Sequence, residues 1–84
     1  MTEREAFLRQ ELAELLDLPP ERLSLTVGLT EQGVDSLVGL RLLRKIADVT
    51  GEEADLEWAF DHPTIQQLAR FLDERYGPME RAAE

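Results

Sequence analysis

The sequence predicts an all-α domain, a small bundle of three main helices plus one short helix, with a long loop between helices one and two. Three observations predict this class. Apolar residues recur at helical spacing in three separate segments. Proline or glycine stands where each of those segments ends. The chain has 84 residues, which suits one domain with one modest core.

The first predicted helix opens with a capping box and closes at a pair of prolines. Thr2 is followed three residues later by Glu5, the spacing at which each side chain bonds the other residue's backbone N–H. The buried stripe that follows consists of Phe7, Leu8, Leu12, Leu15 and Leu16. Because Pro19–Pro20 cannot continue a helix, we expect this one to end at residues 17–18.

Residues 19–35 are predicted to form the long connection. Their apolar side chains alternate as in a strand, but the chain offers no second strand to pair with. These side chains are Leu23, Leu25, Val27 and Leu29. We expect some of them to hold the loop on the core, and Gly33 to supply a tight turn with positive φ. Loops this long in a small domain are often functional.

The second predicted helix has two different faces. Asp35 and Ser36 can cap its start, and Gly51 is a natural end. At about 100° per residue, one side is apolar and should be core, namely Leu42, Leu43, Ile46 and Val49. The other side flanks Ser36 with a mixture of apolar and charged residues, Leu37, Leu40, Arg41, Arg44 and Asp48.

A short third helix and a longer fourth helix complete the predicted bundle. Asp55 can cap the short helix, in which we expect Trp58 to be a core residue. Thr64 and Gln67 fit a second capping box at the start of the last helix, which Gly77–Pro78 ends. Its buried stripe is Ile65, Leu68, Ala69, Leu72 and Tyr76.

Composition excludes several classes of function. The net charge of −9 disfavours nucleic acid as a partner, because a polyanion would be repelled. The absence of cysteine excludes disulfides and thiolate metal sites, and leaves the chain without a thiol. No apolar run approaches the ~18 residues of a membrane span, and the charged N-terminus lacks a signal-peptide core. We therefore expect a cytoplasmic monomer without a membrane role, with residues 1–77 folded and 78–84 a flexible tail.

The segment Gly33-Val34-Asp35-Ser36-Leu37 is the most informative part of the sequence. It resembles the attachment motif of acyl and peptidyl carrier proteins, in which a serine after an aspartate opens the second helix. Leu29 with Gln32–Gly33 resembles the leucine or phenylalanine and the glycine that precede the serine in this family. Phe60–Ile65, followed by Leu68–Ala69, is similar to the segment before and within the last helix of polyketide-synthase carrier domains. The resemblance covers residues 5–76 in order and spacing.

This resemblance implies a covalent 4′-phosphopantetheine arm on Ser36, taken from coenzyme A by a separate phosphopantetheinyl transferase. It implies that Asp35 supports the transferase and its magnesium. A helix N-terminus also favours an anion by ~0.3–1 kcal/mol, which suits a phosphodiester. The arm would end in the thiol that the chain lacks and hold an acyl group as a thioester. The implied role is a non-catalytic acyl carrier, most similar to those of polyketide synthesis, served by acyl-loading and acyl-processing enzymes.

Arginines on the second helix are a departure from the carriers of fatty-acid synthesis, which tend to place acidic residues there. Residues 36–50 hold three basic residues against one acidic residue, a net of +2, so the rest of the chain carries −11. We predict a partner-binding face formed by Leu37, Leu40, Arg41 and Arg44. Its native partners should present carboxylates beside an apolar spot.

Other carrier types and an unmodified protein stay open as alternatives. Val34–Asp35 differs from the Gly-Gly-His or Gly-Gly-Asp pattern of many peptidyl carriers, whereas residues 32–36 are also similar to aryl carriers. In an unmodified helical interaction module, the apolar and arginine face of helix two would bind a protein, and Asp35 and Ser36 would be only a helix cap.

Catalysis and metal binding are disfavoured by the same sequence. A hydrolase built on Ser36 would need a base and an oxyanion hole, but His62 is the one histidine and no Gly-x-Ser-x-Gly elbow is present. The structural interpretation of His62 is a loop residue near the last helix. The acidic run Glu52, Glu53, Asp55 and Glu57 is predicted to be a solvated face, and no metal site is predicted.

Overall fold

Four α-helices make up most of residues 1–79, the part of the chain that this computed structural model describes. They are α1 (Glu3–Leu16), α2 (Ser36–Thr50), α3 (Leu56–Asp61) and α4 (Ile65–Tyr76). Two short 3₁₀ turns, Pro20–Arg22 and Thr30–Gln32, lie in the long connection between α1 and α2. The described residues contain no strand, so the predicted all-α bundle is confirmed. Of the predicted flexible tail, residues 80–84 lie outside the described residues.

Local hydrogen bonds define the helix ends where the sequence predicted them. At α1 the Glu5 backbone N–H donates to the Thr2 hydroxyl at 3.1 Å, and the Thr2 backbone N–H donates to the Glu5 carboxylate at 2.8 Å. Asp17 ends α1 in the left-handed conformation, with φ 58°, and Gly51 ends α2 with φ 77°. These contacts confirm the first capping box and both predicted ends.

The second capping box, at α4, is only half formed. The Gln67 backbone N–H donates to the Thr64 hydroxyl at 3.1 Å, as predicted. The hydroxyl in turn donates to the Gln67 side-chain oxygen at 3.2 Å, so that oxygen does not reach the Thr64 backbone N–H. The prediction of a full box is therefore wrong, because the side-chain amide oxygen accepts from the nearer hydroxyl.

The core lies where α1, α2 and α4 meet, with α3 packed against α2. Its fully buried large side chains are Leu8, Leu12, Leu42, Ile46, Ile65, Leu68 and Leu72. Leu43 is buried as predicted, but Val49 is 51% exposed. Val49 lies in the last turn of α2, about 70° from the centre of the buried arc at 100° per residue, so the prediction that it is core is wrong.

A buried arginine closes one end of the bundle. Arg4 is only 5% exposed, and its Nε donates to the Asp73 carboxylate at 3.0 Å. Its Nη2 donates to the Gly77 carbonyl at 2.9 Å. A buried charge is tolerated when it is paired and hydrogen-bonded in this way. These bonds join the start of α1 to the end of α4, a contact that no sequence pattern predicted.

The long loop is held on the core and joined to the start of α4. Leu23 and Leu29 are buried, which confirms the prediction of an anchored loop, whereas Val27 is exposed. The Leu29 backbone N–H donates to the Pro63 carbonyl at 2.7 Å, and the Gln66 backbone N–H donates to the Leu25 carbonyl at 2.9 Å. These two bonds fix the position of the loop relative to the last helix.

One side chain also folds the loop onto itself. The Gln32 amide oxygen accepts from the Ser24 backbone N–H at 2.7 Å. The Gln32 amide nitrogen donates to the Ser24 and Val27 carbonyls, both at 2.9 Å. Gly33 follows with φ 104°, the positive φ that the sequence predicted, and turns the chain toward α2.

Candidate functional site

Ser36 is the first residue of α2, and its side chain is exposed. The residue that caps this helix is Asp35, whose Oδ1 accepts from the Val38 backbone N–H at 2.9 Å. The Ser36 hydroxyl has no hydrogen-bond partner among residues 1–79, so the cap does not occupy it. Of the two residues that could cap α2, one performs the capping and the other presents a free hydroxyl to solvent.

The start of α2 is chemically suited to a phosphate ester. The backbone N–H groups of Ser36 and Leu37 have no acceptor within the described residues, as is usual in the first turn of a helix. The positive end of the helix dipole favours an anion there by ~0.3–1 kcal/mol. The exposed hydroxyl and the open N–H groups together fit a phosphopantetheine group esterified to Ser36.

A mainly apolar cleft of about 220 Å³ opens beside Ser36. Its walls come from the long loop, α2 and α3, and they are formed by Leu29, Thr30, Val34, Asp35, Ser36, Gly39, Leu56, Ala59 and Phe60. Phe60 stands at 67% exposure, among the most exposed large apolar side chains of the described residues. The cleft offers apolar surface next to the hydroxyl.

Sequence reasoning missed the roles of Gly39 and Phe60 in this cleft. Gly39 is buried against α3, and a Cβ there would lie 3.7 Å from Leu56 Cδ1, an ordinary contact distance. Gly39 thus adds no side chain to this wall of the cleft, although a methyl group would fit there without a clash. The available signal was a glycine inside a predicted helix, since such a glycine usually has a packing or functional reason.

Trp58 of α3 and His62, which follows α3, pack against aromatic residues of α4 and do not line the cleft. The Trp58 ring meets Phe71 edge-on at 5.0 Å between centroids, and the Arg75 guanidinium lies 5.0 Å from the Trp58 ring. The His62 ring stacks on Phe71 at 4.4 Å. His62 lies in the bend between α3 and α4, as predicted for a loop residue near the last helix. Trp58 is half-buried and packs against the core from its edge, so the prediction that it is a core residue holds only in part.

The four predicted partner-binding residues line one shallow groove of about 550 Å³, which we call the α2 groove. Leu37 and Leu40 are 58% and 52% exposed, and Arg41 and Arg44 are also exposed. The remaining lining residues are Leu15, Lys45 and Asp48. The structure therefore brings together all four predicted residues and adds Leu15 and Lys45, which the sequence argument did not assign to this face.

The acidic run that follows α2 does not line the α2 groove. Glu52, Glu53, Asp55 and Glu57 are all exposed. Asp55 caps α3 by accepting from the Glu57 backbone N–H at 2.9 Å. Within the described residues, no group of three or more histidine, aspartate or glutamate side chains could hold a metal ion.

The fold and the site together define a carrier domain, a small helical bundle with an exposed serine directly after the aspartate that caps α2. The family model described as "Phosphopantetheine attachment site" matches residues 6–72. The chain therefore belongs to the phosphopantetheine attachment family, whose members carry covalently attached 4′-phosphopantetheine. None of the helices in residues 1–79 is long and apolar enough to cross a membrane.

Relatives of known sequence and structure agree with this assignment. Over 98% of its length the chain is 34% identical to polyketide synthase PksL of Bacillus subtilis (strain 168), of which it spans only 2%. A free-standing peptidyl carrier protein from Acinetobacter baumannii matches with a TM-score of 0.83 and 29% identity, over 86% of this chain and 90% of that one. The HMG-ACPI domain from the CurA module of Lyngbya majuscula shares the fold, with a TM-score of 0.82 and 23% identity, over 89% of this chain and 76% of that one.

Proposed function

We propose that Ser36 carries the phosphopantetheine arm and that this domain is a non-catalytic acyl carrier of polyketide biosynthesis. One observation carries the proposal: at the start of α2 the neighbouring Asp35 does the capping, and the Ser36 hydroxyl is exposed and free of hydrogen bonds among residues 1–79. A modifying enzyme can therefore reach this hydroxyl without breaking any contact of the folded domain.

The loading reaction assigns separate roles to Ser36 and to the transferase. Ser36 Oγ forms a bond to the phosphorus that carries the pantetheine of coenzyme A. The bond from that phosphorus to the bridging oxygen of the diphosphate breaks, and adenosine 3′,5′-bisphosphate leaves. The hydroxyl proton passes to a base on the transferase. Asp35 would support the step from the carrier side: its second carboxylate oxygen has no hydrogen-bond partner among residues 1–79 and would be free to bind a magnesium ion held by the transferase.

The arm, once attached, supplies a terminal thiol that holds an acyl group as a thioester. The chain itself has no cysteine and could not supply this chemistry. The domain's own residues position the attachment point at the end of a rigid helix and offer the apolar cleft next to it. We place the acyl-loading and acyl-processing enzymes on the α2 groove, at Leu37, Leu40, Arg41 and Arg44.

The assignment to polyketide synthesis is supported by the curated relatives. Besides PksL, a second synthase of the same organism, polyketide synthase PksM, is 35% identical over 86% of this chain. Because the chain spans only about 2% of these synthases, their reactions and substrates reach this protein only as part of the proposal.

A peptidyl carrier is the second candidate function. It is favoured by the A. baumannii structure, which is itself a small peptidyl carrier and overlaps this chain over most of both lengths. The two candidates differ in the enzyme that loads the thiol. Incubation of the modified protein with acyltransferases and with amino-acid-activating enzymes, followed by intact mass measurement, separates an acyl load from an aminoacyl load.

The attachment proposal is tested by intact mass after incubation with coenzyme A and a broad-specificity phosphopantetheinyl transferase. The wild-type chain should gain the mass of one phosphopantetheine, and Ser36→Ala should gain none. Ser24→Ala is the matched control, because Ser24 is the one other serine. The Ser24 hydroxyl accepts from the Thr26 and Val27 backbone N–H groups at 3.1 and 3.2 Å. A mass gain that persists in Ser36→Ala and disappears in Ser24→Ala would refute the assignment.

The monomeric state and the cytoplasmic location expected from the sequence belong to the same proposal. Sedimentation of the modified and unmodified chain tests the first, and a single species with the mass of one chain is the expected result. The cytoplasmic location is proposed because coenzyme A and the transferase must both be present where the arm is attached.

A further inference from the structure

The lining of the α2 groove follows one face of α2 from beside the attachment serine to the helix's last turns. Six of its seven lining residues lie on α2, at intervals of three, one, three, one and three positions: Leu37, Leu40, Arg41, Arg44, Lys45 and Asp48. That spacing marks a single helical face. At 1.5 Å per residue the face is about 16 Å long, or about three helical turns. It therefore has the length of a short helix laid alongside α2.

Apolar side chains in this groove are left uncovered within the domain. Leu37 and Leu40 are more than half exposed, whereas Leu42, Leu43 and Ile46 on the opposite side of α2 are buried in the core. Leu15, at the end of α1, adds a third apolar side chain to the lining. Exposed apolar side chains grouped in one concave surface are typical of a binding site, whereas isolated ones carry no such meaning.

The charges on the groove's rim define the chemistry of the occupant. Arg41, Arg44 and Lys45 face only Asp48 within the groove, and Lys45 also lies 4.0 Å from Glu11 on α1. Within residues 1–79 neither arginine forms an ion pair. Permanently charged, exposed guanidinium groups attract carboxylates and set the rate and specificity of association. The groove therefore favours a negatively charged partner, although the domain as a whole has a net charge of −9.

We propose that the α2 groove docks an acidic amphipathic helix of about three turns, contributed by a partner enzyme of the carrier. The inference rests on the proposed carrier function, and it names the partner chemistry of that site. The occupant's apolar residues, spaced i, i+3 or i+4, and i+7, lie on Leu37, Leu40 and Leu15, and its flanking carboxylates meet Arg41, Arg44 and Lys45. A second copy of this chain is the less suitable occupant, because two chains of net charge −9 repel one another.

Docking in this register would place the partner next to the attachment point. The groove begins at Leu37, directly after Ser36, so one end of the bound helix lies beside the serine. An enzyme anchored there holds its active-site entrance close to the base of the arm. The face that recognises the partner and the residue that carries the cargo are therefore one continuous surface.

The test uses the whole chain and two synthetic probe peptides. Each peptide is an 18-residue amphipathic helix with a leucine stripe, flanked by glutamates in one and by lysines in the other. Each is titrated into ¹⁵N-labelled protein while backbone amide shifts are followed. The glutamate peptide should shift the amides of α2 from Leu37 to Asp48, and the lysine peptide should not. Binding should weaken as added salt screens the rim charges.

Charge-reversal variants locate the binding. Arg41→Glu with Arg44→Glu should weaken the glutamate peptide on the order of tenfold or more, because the rim then repels it. Arg22→Glu with Arg70→Glu is the matched control, with the same change in net charge at two exposed residues outside the groove. This control should bind the peptide within about twofold of the wild type.

Three results would overturn the proposal. The first is equal binding of the two peptides, and the second is an equal loss in both double variants. The third is self-association of the wild-type chain that Arg41→Glu with Arg44→Glu abolishes, since it would assign the groove to a second copy. The Ser36→Ala variant should bind the peptide normally. If the wild-type chain does not bind the glutamate peptide but is loaded with phosphopantetheine normally, only the groove proposal is rejected. If the wild-type chain binds the peptide but is not loaded, only the attachment site is rejected.

Discussion

The starts of α2 and α4 are built by the same local rule but meet opposite environments. Each helix is capped by a short polar side chain that accepts from the backbone N–H three residues on, Asp35 from Val38 and Thr64 from Gln67. The first residue of α4 is Ile65, which is 1% exposed and part of the core. The first residue of α2 is Ser36, which is exposed and touches no hydrogen-bond partner among residues 1–79.

The surroundings of these two helix starts also differ in how the backbone is used. At α4, the Gln66 backbone N–H donates to the Leu25 carbonyl of the long loop, and the Pro63 carbonyl just before the helix accepts from Leu29. At α2, the N–H groups of Ser36 and Leu37 have no protein acceptor in the described part of the chain. The start of α4 is therefore a structural joint between the last helix and the long loop. At the start of α2, the backbone N–H groups of Ser36 and Leu37 stay available to a hydrogen-bond acceptor from outside the described residues.

The largest expected effect breaks the structural joint. Ile65→Ala should lower the free energy of unfolding by ~2–5 kcal/mol, because it leaves a cavity in a fully buried position. Ser36→Ala should change it by less than ~0.5 kcal/mol, since an exposed residue that does not cap the helix contributes little. Chemical denaturation of both variants is the measurement. A serine variant that unfolds as readily as the isoleucine variant would contradict the comparison.

The next effect concerns the loop that connects the two regions. Gln32→Ala should cost ~1–3 kcal/mol, because three hydrogen bonds at 2.7 to 2.9 Å are lost. Gln32→Glu retains the acceptor for Ser24 but turns a carboxylate oxygen toward two carbonyls, so it should be destabilised by a comparable amount. Thermal unfolding of both variants tests this prediction. Wild-type stability of Gln32→Glu would show that the two carbonyl contacts contribute nothing.

Removal of either cap tests whether the two helix starts differ in function while they share local physics. Asp35→Ala and Thr64→Ala should each cost ~1 kcal/mol of stability. Only Asp35→Ala should also slow phosphopantetheine loading. Asp35→Asn separates the two roles of this residue, since asparagine caps as well as aspartate but carries no charge.

Measured loading rates, with the denaturation midpoints, decide this case. Asp35→Asn should keep wild-type stability and still load slowly, because magnesium prefers a carboxylate ligand. Equal loading of Asp35→Asn and wild type would reduce Asp35 to a helix cap and leave the attachment of the arm to Ser36 alone.

The smallest expected effect is a gain in stability. Gly39→Ala should raise the free energy of unfolding by ~0.5–1 kcal/mol, because alanine is the better helix former and its Cβ would meet Leu56 at 3.7 Å without a clash. Loading of Ser36 should be unchanged, since the cleft is only slightly reduced. Calorimetry on this variant checks the sign. A loss of stability would mean that α2 and α3 are packed more tightly at this point than the structure shows.

The sequence by itself determined the local elements and pointed to Ser36 as the proposed attachment residue. Helix ends at Thr2, Gly51 and Gly77 follow from capping and proline–glycine chemistry, which depends on a few neighbouring residues. The apolar periodicity assigned Leu42, Leu43 and Ile46 to the core, and all three are buried. The Asp35–Ser36 pair was visible because the attachment motif is short and contiguous. Each of these inferences needs only residues within about two helical turns of one another.

The tertiary structure alone decided what depends on distant parts of the chain. The Arg4 contacts with Asp73 and Gly77, and the loop bonds to α4, join residues that no local pattern relates. Val49, at the edge of the buried face in the last turn of α2, is exposed although the apolar pattern placed it in the core. The same holds for the cleft beside Ser36 and for Leu15 in the α2 groove, since each is formed by side chains from separate elements. Such surfaces exist only after packing, because burial and concavity are properties of the assembled bundle.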